Sequence, residues 1–160
     1  MEDLSKVIVF MLKDQQYGVN LQQVLSIERL QAITHVPQTS SFIKGVMNLR
    51  GDIIPIIDLM ERLSVGSMVQ DDSTRVLIVE IDTYKIGLVV DTATDVIDLE
   101  SSMIEPAPSI IGGVKSEYIK GVAKLEGGLL VLLDLEHVLN VEEQREVLDV
   151  VNEEKVSGGH

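Results

Sequence analysis

Residues 42 to 63, FIKGVMNLRGDIIPIIDLMERL, align without a gap to residues 118 to 139, YIKGVAKLEGGLLVLLDLEHVL. Nine of the 22 positions are identical, and most others exchange one apolar residue for another. Upstream, VIVFMLKDQQYGVNLQQVLSI (7 to 27) shadows VLIVEIDTYKIGLVVDTATDV (76 to 96), with Gly18 opposite Gly87. A chain that repeats its apolar pattern folds most simply as two like units packed against each other.

The pattern within each copy sets the kind of unit. Apolar runs of four to six residues, such as Val7 to Leu12, Val76 to Ile81, Ile86 to Val90 and Leu129 to Leu133, are separated by Gly, Asp, Asn or Ser. Runs this short suit strands rather than independent helices. Each copy reads as strand, turn, strand, connecting segment and a final hairpin. Gly51-Asp52 and Gly127-Gly128 supply residues that accept the positive φ of tight turns. Asp58 and Asp134, each before a short apolar run, are expected to cap short helices. The second copy is longer in its middle, where EPAPSIIGGVKSE (105 to 117) reads as an exposed loop.

Four or five short strands per copy suit a small barrel that hides its edges. The expected fold is therefore mostly β, with two small five-stranded barrels side by side, short helices and a C-terminal helix. Val147, Leu148, Val150 and Val151 lie on one face of that helix. Residues 1 to 150 form one domain in this reading. Its barrel-forming repeats span about 7 to 63 and 76 to 139, are free to exchange terminal strands, and are joined through SVGSMVQDDST (64 to 74). Residues 151 to 160 are expected to be a disordered tail.

Composition removes several function classes. The net charge is −13, and the 13 basic residues are scattered, which argues against nucleic acid and against an anionic membrane surface. With no cysteine, disulfides, thiolate metal sites and cysteine nucleophiles are excluded. The first residues carry acids where a secretion signal has basic ones, and no apolar stretch approaches the roughly 20 residues of a membrane span. A cytoplasmic protein without membrane insertion is the expectation.

Few residues suggest chemistry. His35, His137 and His160 do not stand at metal-ligand spacing, so neither a metal site nor a cofactor is expected. Asp58 and Asp134 form a conceivable pair of catalytic carboxylates for a hydrolase, but duplication and capping account for both. No phosphate-binding glycine loop or nucleophile elbow is present. DTATDVIDLE (91 to 100) lacks the spacing of a calcium loop.

The copies disagree at one hairpin tip. Glu126 stands opposite Arg50, Lys124 opposite Asn48, and Val131 opposite Pro55. Either the tips face different surroundings, or the charges drifted on solvated turns. On the first reading, Arg50 is a contact residue. Glu28, or Ser26, stands ready to hold its guanidinium, and Ile27, Val46 and Leu49 complete a small patch.

These residues bear a resemblance. VFMLKDQQYGVNLQQVLSI, FIKGVMNLRGDIIPIIDL, GLVVDTATDVIDL and YIKGVAKLEGGLLVLLDLEHVL resemble the CheW family of bacterial chemotaxis adaptors from about Val7 to Val141. The resemblance implies two small SH3-like β-barrels side by side and a non-enzymatic scaffold. It implies a chain that couples the cytoplasmic tip of chemoreceptors to the regulatory domain of the histidine kinase CheA, with self-association in rings. It implies cytoplasmic residence with recruitment to membrane-associated receptor arrays. Carried over residue by residue, the receptor-facing groove comprises Asn48, Leu49, Arg50 and Gly51, with Val24, Ile27 and Gly45 beside them. Ile110 and Ile111 are the candidates for a kinase or ring interface. Ser26 departs from the acidic residue common in the family, so either Glu28 substitutes as the partner of Arg50 or Arg50 is free. The alternative within the family is a paralogue serving a different receptor–kinase array. The length, 160 residues, argues against the larger kinase and against a receiver-fused adaptor.

Overall fold

Strands β1 (Leu4–Leu12) and β6 (Arg75–Ile81) carry the apolar runs Val7 to Leu12 and Val76 to Val79, which are buried on both faces almost throughout. The computed structural model describes residues 4–35, 40–81, 83–111 and 113–138, with Leu4, Thr94, Ile110 and Ile111 described by their backbone alone. Among these, the strands between and after that pair are β2 (Gln15–Asn20), β3 (Val24–Arg29), β4 (Ile43–Leu49) and β5 (Asp52–Asp58). Then come β7 (Tyr84–Val90), β8 (Thr92–Glu100), β9 (Ile104–Glu105), β10 (Ile110–Ile111), β11 (Val114–Lys115), β12 (Ile119–Leu125) and β13 (Gly128–Leu133). Two four-residue helices, α1 (Leu59–Arg62) and α2 (Leu135–Val138), follow the two repeated hairpins. The fold is mostly β and built of two like units, as the repeat requires.

The strands form a five-stranded sheet, β3-β6-β7-β5-β4, and a six-stranded sheet, β8-β1-β2-β13-β12-β9, with β10 and β11 apart as a pair. Each large sheet draws on both copies. The first lobe joins the final hairpin of copy one (β4–β5) to the opening hairpin of copy two (β6–β7) through the parallel pair β5–β7. The second lobe mirrors this, joining β12–β13 to β1–β2 through the parallel pair β13–β2. The two lobe interiors therefore contain equivalent residues. Met47, Ile54, Ile56, Val76 and Ile78 fill one, and Ala123, Leu130, Leu132, Val7 and Val9 fill the other.

The opposite faces of the same strands meet in a central seam. Ile8, Phe10 and Leu12 of β1 and Leu77, Val79 and Ile81 of β6 point there, joined by Tyr17, Val19, Ile86, Leu88 and Val90. Phe10 and Tyr17 stack with ring centroids 5.9 Å apart. Fully burying one such side chain is worth about 1.5–3 kcal/mol, so the seam binds the lobes more strongly than any polar contact.

Each lobe also meets itself. Thr34, in the segment after β3, bridges Val46 of β4 through backbone bonds of 2.8 and 2.9 Å. In the second lobe β9 follows β8 and pairs with β12. At both closures a glycine lets the strands touch. A Cβ on Gly45 (φ 137°) would lie 2.1 Å from the Thr34 carbonyl oxygen, and one on Gly121 would lie 2.8 Å from that of Glu105.

One expectation needs adjustment. The second lobe has six strands rather than five, because the two-residue β9 adds to its edge. The segment at 64 to 74 is anchored: the Met68 N–H donates to Asp58 at 2.8 Å, and Thr74 is buried. The C-terminal helix beyond Val141 and the tail at 151 to 160 lie outside the described residues. No helix among the described residues is long and apolar enough to cross a membrane.

Candidate functional site

The β4–β5 turn is two residues long, since Leu49 pairs with Asp52. It is therefore centred on Arg50-Gly51, one residue earlier than the glycine placement alone suggested. Both residues have positive φ, 52° and 91°, which makes a type I′ turn whose twist suits a hairpin. Asn48 supports it, its Oδ1 accepting the Gly51 N–H at 2.9 Å. For an arginine the left-handed conformation is unfavourable by about 1–2 kcal/mol, because Cβ crowds the following carbonyl. The equivalent hairpin avoids this. There the positive φ falls on Gly128 (131°) rather than on Glu126.

Strand β3 brings the second half of the site. Its residues alternate between half-buried (Val24, Ser26, Glu28) and exposed (Leu25, Ile27, Arg29), with a register irregularity between Val24 and Ser26. Glu28 comes to the turn from the first lobe's opposite edge. Its Oε1 lies 3.4 Å from Arg50 Nη2, with Glu28 15% and Arg50 75% exposed. So exposed a pair adds little stability, well under about 1 kcal/mol. Its effect is to aim the guanidinium, and the Ser26 position is not needed for it.

The predicted groove residues thus divide into two layers. Arg50, Asn48 and Gly51 form the exposed tip, and Ile27 is 43% exposed on β3. Leu49 is buried in the first lobe, Val24 packs against the seam, and Gly45 is buried against Thr34. These three shape the surface from beneath. Sequence reasoning missed Leu25, which is 49% exposed beside Ile27. It lies two residues before Ile27 on the same exposed face, so the period-2 alternation of β3 was the signal that could have found it. Ile110 and Ile111 fall in the separate β10–β11 pair, where Ile110 faces Lys115 and Ile111 faces Val114 in register.

The aspartates show why a hydrolytic reading is unfavourable. Asp58 is fully buried, and its carboxylate accepts the N–H groups of Met60 (3.1 Å), Glu61 (3.4 Å) and Met68 (2.8 Å). Burial pushes its pKa up, the amide bonds from Met68 and Glu61 oppose this, and the Glu61 carboxylate adds to the rise. It is a helix cap that also ties down the linker. Asp134 departs from the expected cap: its Oδ2 lies 2.6 Å from His137 Nδ1, while its backbone carbonyl accepts the His137 and Val138 amides. Two surface clefts among the described residues, of about 410 and 80 Å³, are lined by neither Asp58 nor Asp134. Among the described residues no group of three acidic, histidine or cysteine side chains is placed to hold a metal.

Known proteins resemble this chain in sequence and in fold. The family described as "CheW-like domain" matches residues 6–143. Chemotaxis protein CheW of Bacillus subtilis is 38% identical over 138 residues, covering 86% of this chain and 88% of that protein. Chemotaxis protein CheW of Klebsiella aerogenes is 35% identical over 139 residues, covering 87% and 84%. The crystal structure of the scaffolding protein TtCheW from Thermoanaerobacter tengcongensis superposes with a TM-score of 0.80. Its sequence identity is 33%, over 88% of this chain and 91% of that one.

Proposed function

This chain belongs to the CheW-like domain family, and from that premise we propose that it is a chemotaxis adaptor coupling receptor tips to the histidine kinase CheA. Relatives named as chemotaxis proteins and a scaffolding protein support an adaptor role. The observation that carries the finer reading is the Arg50 turn. Lys13, Ser64 and Thr83 share its left-handed conformation, so what singles Arg50 out is that it is 75% exposed and aimed by Glu28 from another strand. On the strand that carries Glu28, Ile27 and Leu25 expose apolar surface of the kind that anchors an interface.

On this reading a receptor helix hairpin lies along β3 and the Arg50 turn. The regulatory domain of CheA docks elsewhere, with Ile110 and Ile111 as candidate contacts. The adaptor performs no bond chemistry; it holds two partners in register, and multivalency in an array supplies strength that single contacts lack. Recruitment to the membrane then comes through the receptors. The test is titration of labelled protein with a receptor-tip fragment and with a CheA-type regulatory domain, separately and together. Arg50→Glu is expected to weaken receptor binding at least about tenfold while leaving the kinase titration unchanged. Unchanged receptor binding by the folded variant contradicts this assignment.

A further inference from the structure

Phe42 and Tyr118 hold equivalent positions at the start of the two repeated segments. Each is fixed by its own hairpin: the Asp58 N–H donates to the Phe42 carbonyl at 2.8 Å and the Asp134 N–H to the Tyr118 carbonyl at 2.9 Å. The two rings, one from each lobe, converge on a single side chain. The guanidinium carbon of Arg62 lies 5.3 Å from the Phe42 ring centroid and 4.7 Å from that of Tyr118. Its Nε donates to the backbone carbonyl of Val138 at 2.5 Å. Val138 is the residue that the repeat aligns with Arg62 itself. One copy thus supplies a cation where the other supplies a carbonyl, and the equivalent aromatic of each copy lies within reach of that cation.

Both ring distances fall within the roughly 6 Å at which a cation is attracted to an aromatic face. A planar guanidinium can meet two rings and an in-plane acceptor together, which the tetrahedral ammonium of lysine cannot do as well. The seam holds the lobes together through non-directional apolar contact. The Arg62 clasp is directional, and it links the end of α1 in the first lobe to Tyr118 and α2 in the second.

We propose that Arg62 is a positioning residue that couples the two lobes, so that a partner docked on one lobe is sensed at the surface of the other. The partners in this statement rest on the adaptor reading; the clasp does not. Coupling between sites is reciprocal and commonly amounts to about 5- to 150-fold in affinity.

The chain has no cysteine, so cysteines placed at exposed Glu80 and Lys124, one on each lobe, give unique spin-label pairs. Double electron–electron resonance on the full chain is expected to give a narrow distance distribution, which Arg62→Leu broadens or shifts. Partner titrations are then made singly and together. The unsubstituted chain is expected to bind the second partner at least about fivefold more or less tightly once the first is bound. In Arg62→Leu that factor falls to near one while each single affinity stays within about threefold. Arg62→Lys, which keeps the charge, should recover part of both effects.

An Arg62→Leu distribution superimposable on the unsubstituted one overturns the proposal, whether or not any partner binds. Coupling that is absent from the unsubstituted chain, or undiminished in the variant, overturns it as well. Failure of the unsubstituted chain to bind either partner, with the distance change present, refutes the adaptor reading and leaves the clasp standing. Should Arg62→Leu not fold, Phe42→Leu removes one ring while keeping Arg62. An unchanged distribution and unchanged coupling in that variant overturn the proposal.

Discussion

The two hairpins β4–β5 and β12–β13 descend from one pattern, yet they turn differently. The second places its positive φ on Gly128 and leaves Glu126 in an ordinary conformation. The first places Arg50 in the left-handed region and braces it with Asn48 and Glu28. At the positions equivalent to those braces, the second copy has Lys124 and Ile97. Of these two hairpins only the first places a side chain there, and it does so with supports, while Lys13 and Thr83 take the same conformation at the turns of the opening hairpins. A duplicated scaffold is informative in this way, because each half shows what the other needs for folding alone.

The largest expected effect tests the closures on which the comparison stands. Gly45→Ala meets the Thr34 carbonyl oxygen at 2.1 Å with a φ of 137°, whereas Gly121→Ala meets Glu105 at 2.8 Å without a positive φ. Chemical denaturation should show Gly45→Ala costing about 3 kcal/mol or more, and Gly121→Ala clearly less. Equal losses would mean that the two closures are not distinguished by backbone conformation.

Next come the two aspartates. Asp58→Ala strands three amides, including that of Met68 in the linker, and is expected to cost about 2–4 kcal/mol. Asp134→Ala loses a contact to an exposed imidazole and should cost under about 1 kcal/mol. Burial raises the folded-state pKa of Asp58 above its ordinary 3.8. The folded chain then binds this proton more tightly than the unfolded chain. The resulting stability is fully present below 3.8 and is lost as the pH rises through the raised value. Denaturation midpoints measured across that window should fall with pH in the parent relative to Asp58→Ala, and a parallel pair of curves would count against the buried carboxylate as its source.

A smaller effect sharpens the contrast between turns. Arg50→Gly relieves the left-handed arginine and should raise stability by about 0.5–1 kcal/mol while weakening receptor-tip binding. Glu126→Gly should do neither. The smallest is Glu28→Gln: under about 0.5 kcal/mol in stability, with a few-fold weaker binding because the guanidinium is no longer aimed. Calorimetry that found stability lost and binding intact would reverse the roles given to this pair.

The repeat made much of the fold legible. Its apolar runs announced short strands, and its length fixed two like units. The doubly buried strands β1 and β6 showed as unbroken runs because each serves a lobe interior and the seam at once. The pairing of opening and closing hairpins was less legible. Equivalent hairpins carry the same pattern, so either lobe accepts either one. At the site, the charge difference between Arg50 and Glu126 was visible, and Glu28 could be named as a partner. The left-handed backbone at Arg50 was not visible, since a glycine at 51 suits several turn types. Leu25 was legible by alternation with Ile27. The Arg62 clasp was hidden for another reason: it depends on how the lobes meet in space, and residue type along the chain does not encode that.

The central claim is that one hairpin of the pair is a contact and the other is scaffold. It is tested most directly by isothermal titration of a receptor-tip fragment into Arg50→Glu and Glu126→Arg side by side. The expected result is at least about a tenfold loss for Arg50→Glu and a change within about twofold for Glu126→Arg. Equal effects at the two tips, or none at Arg50 in a folded protein, would contradict it.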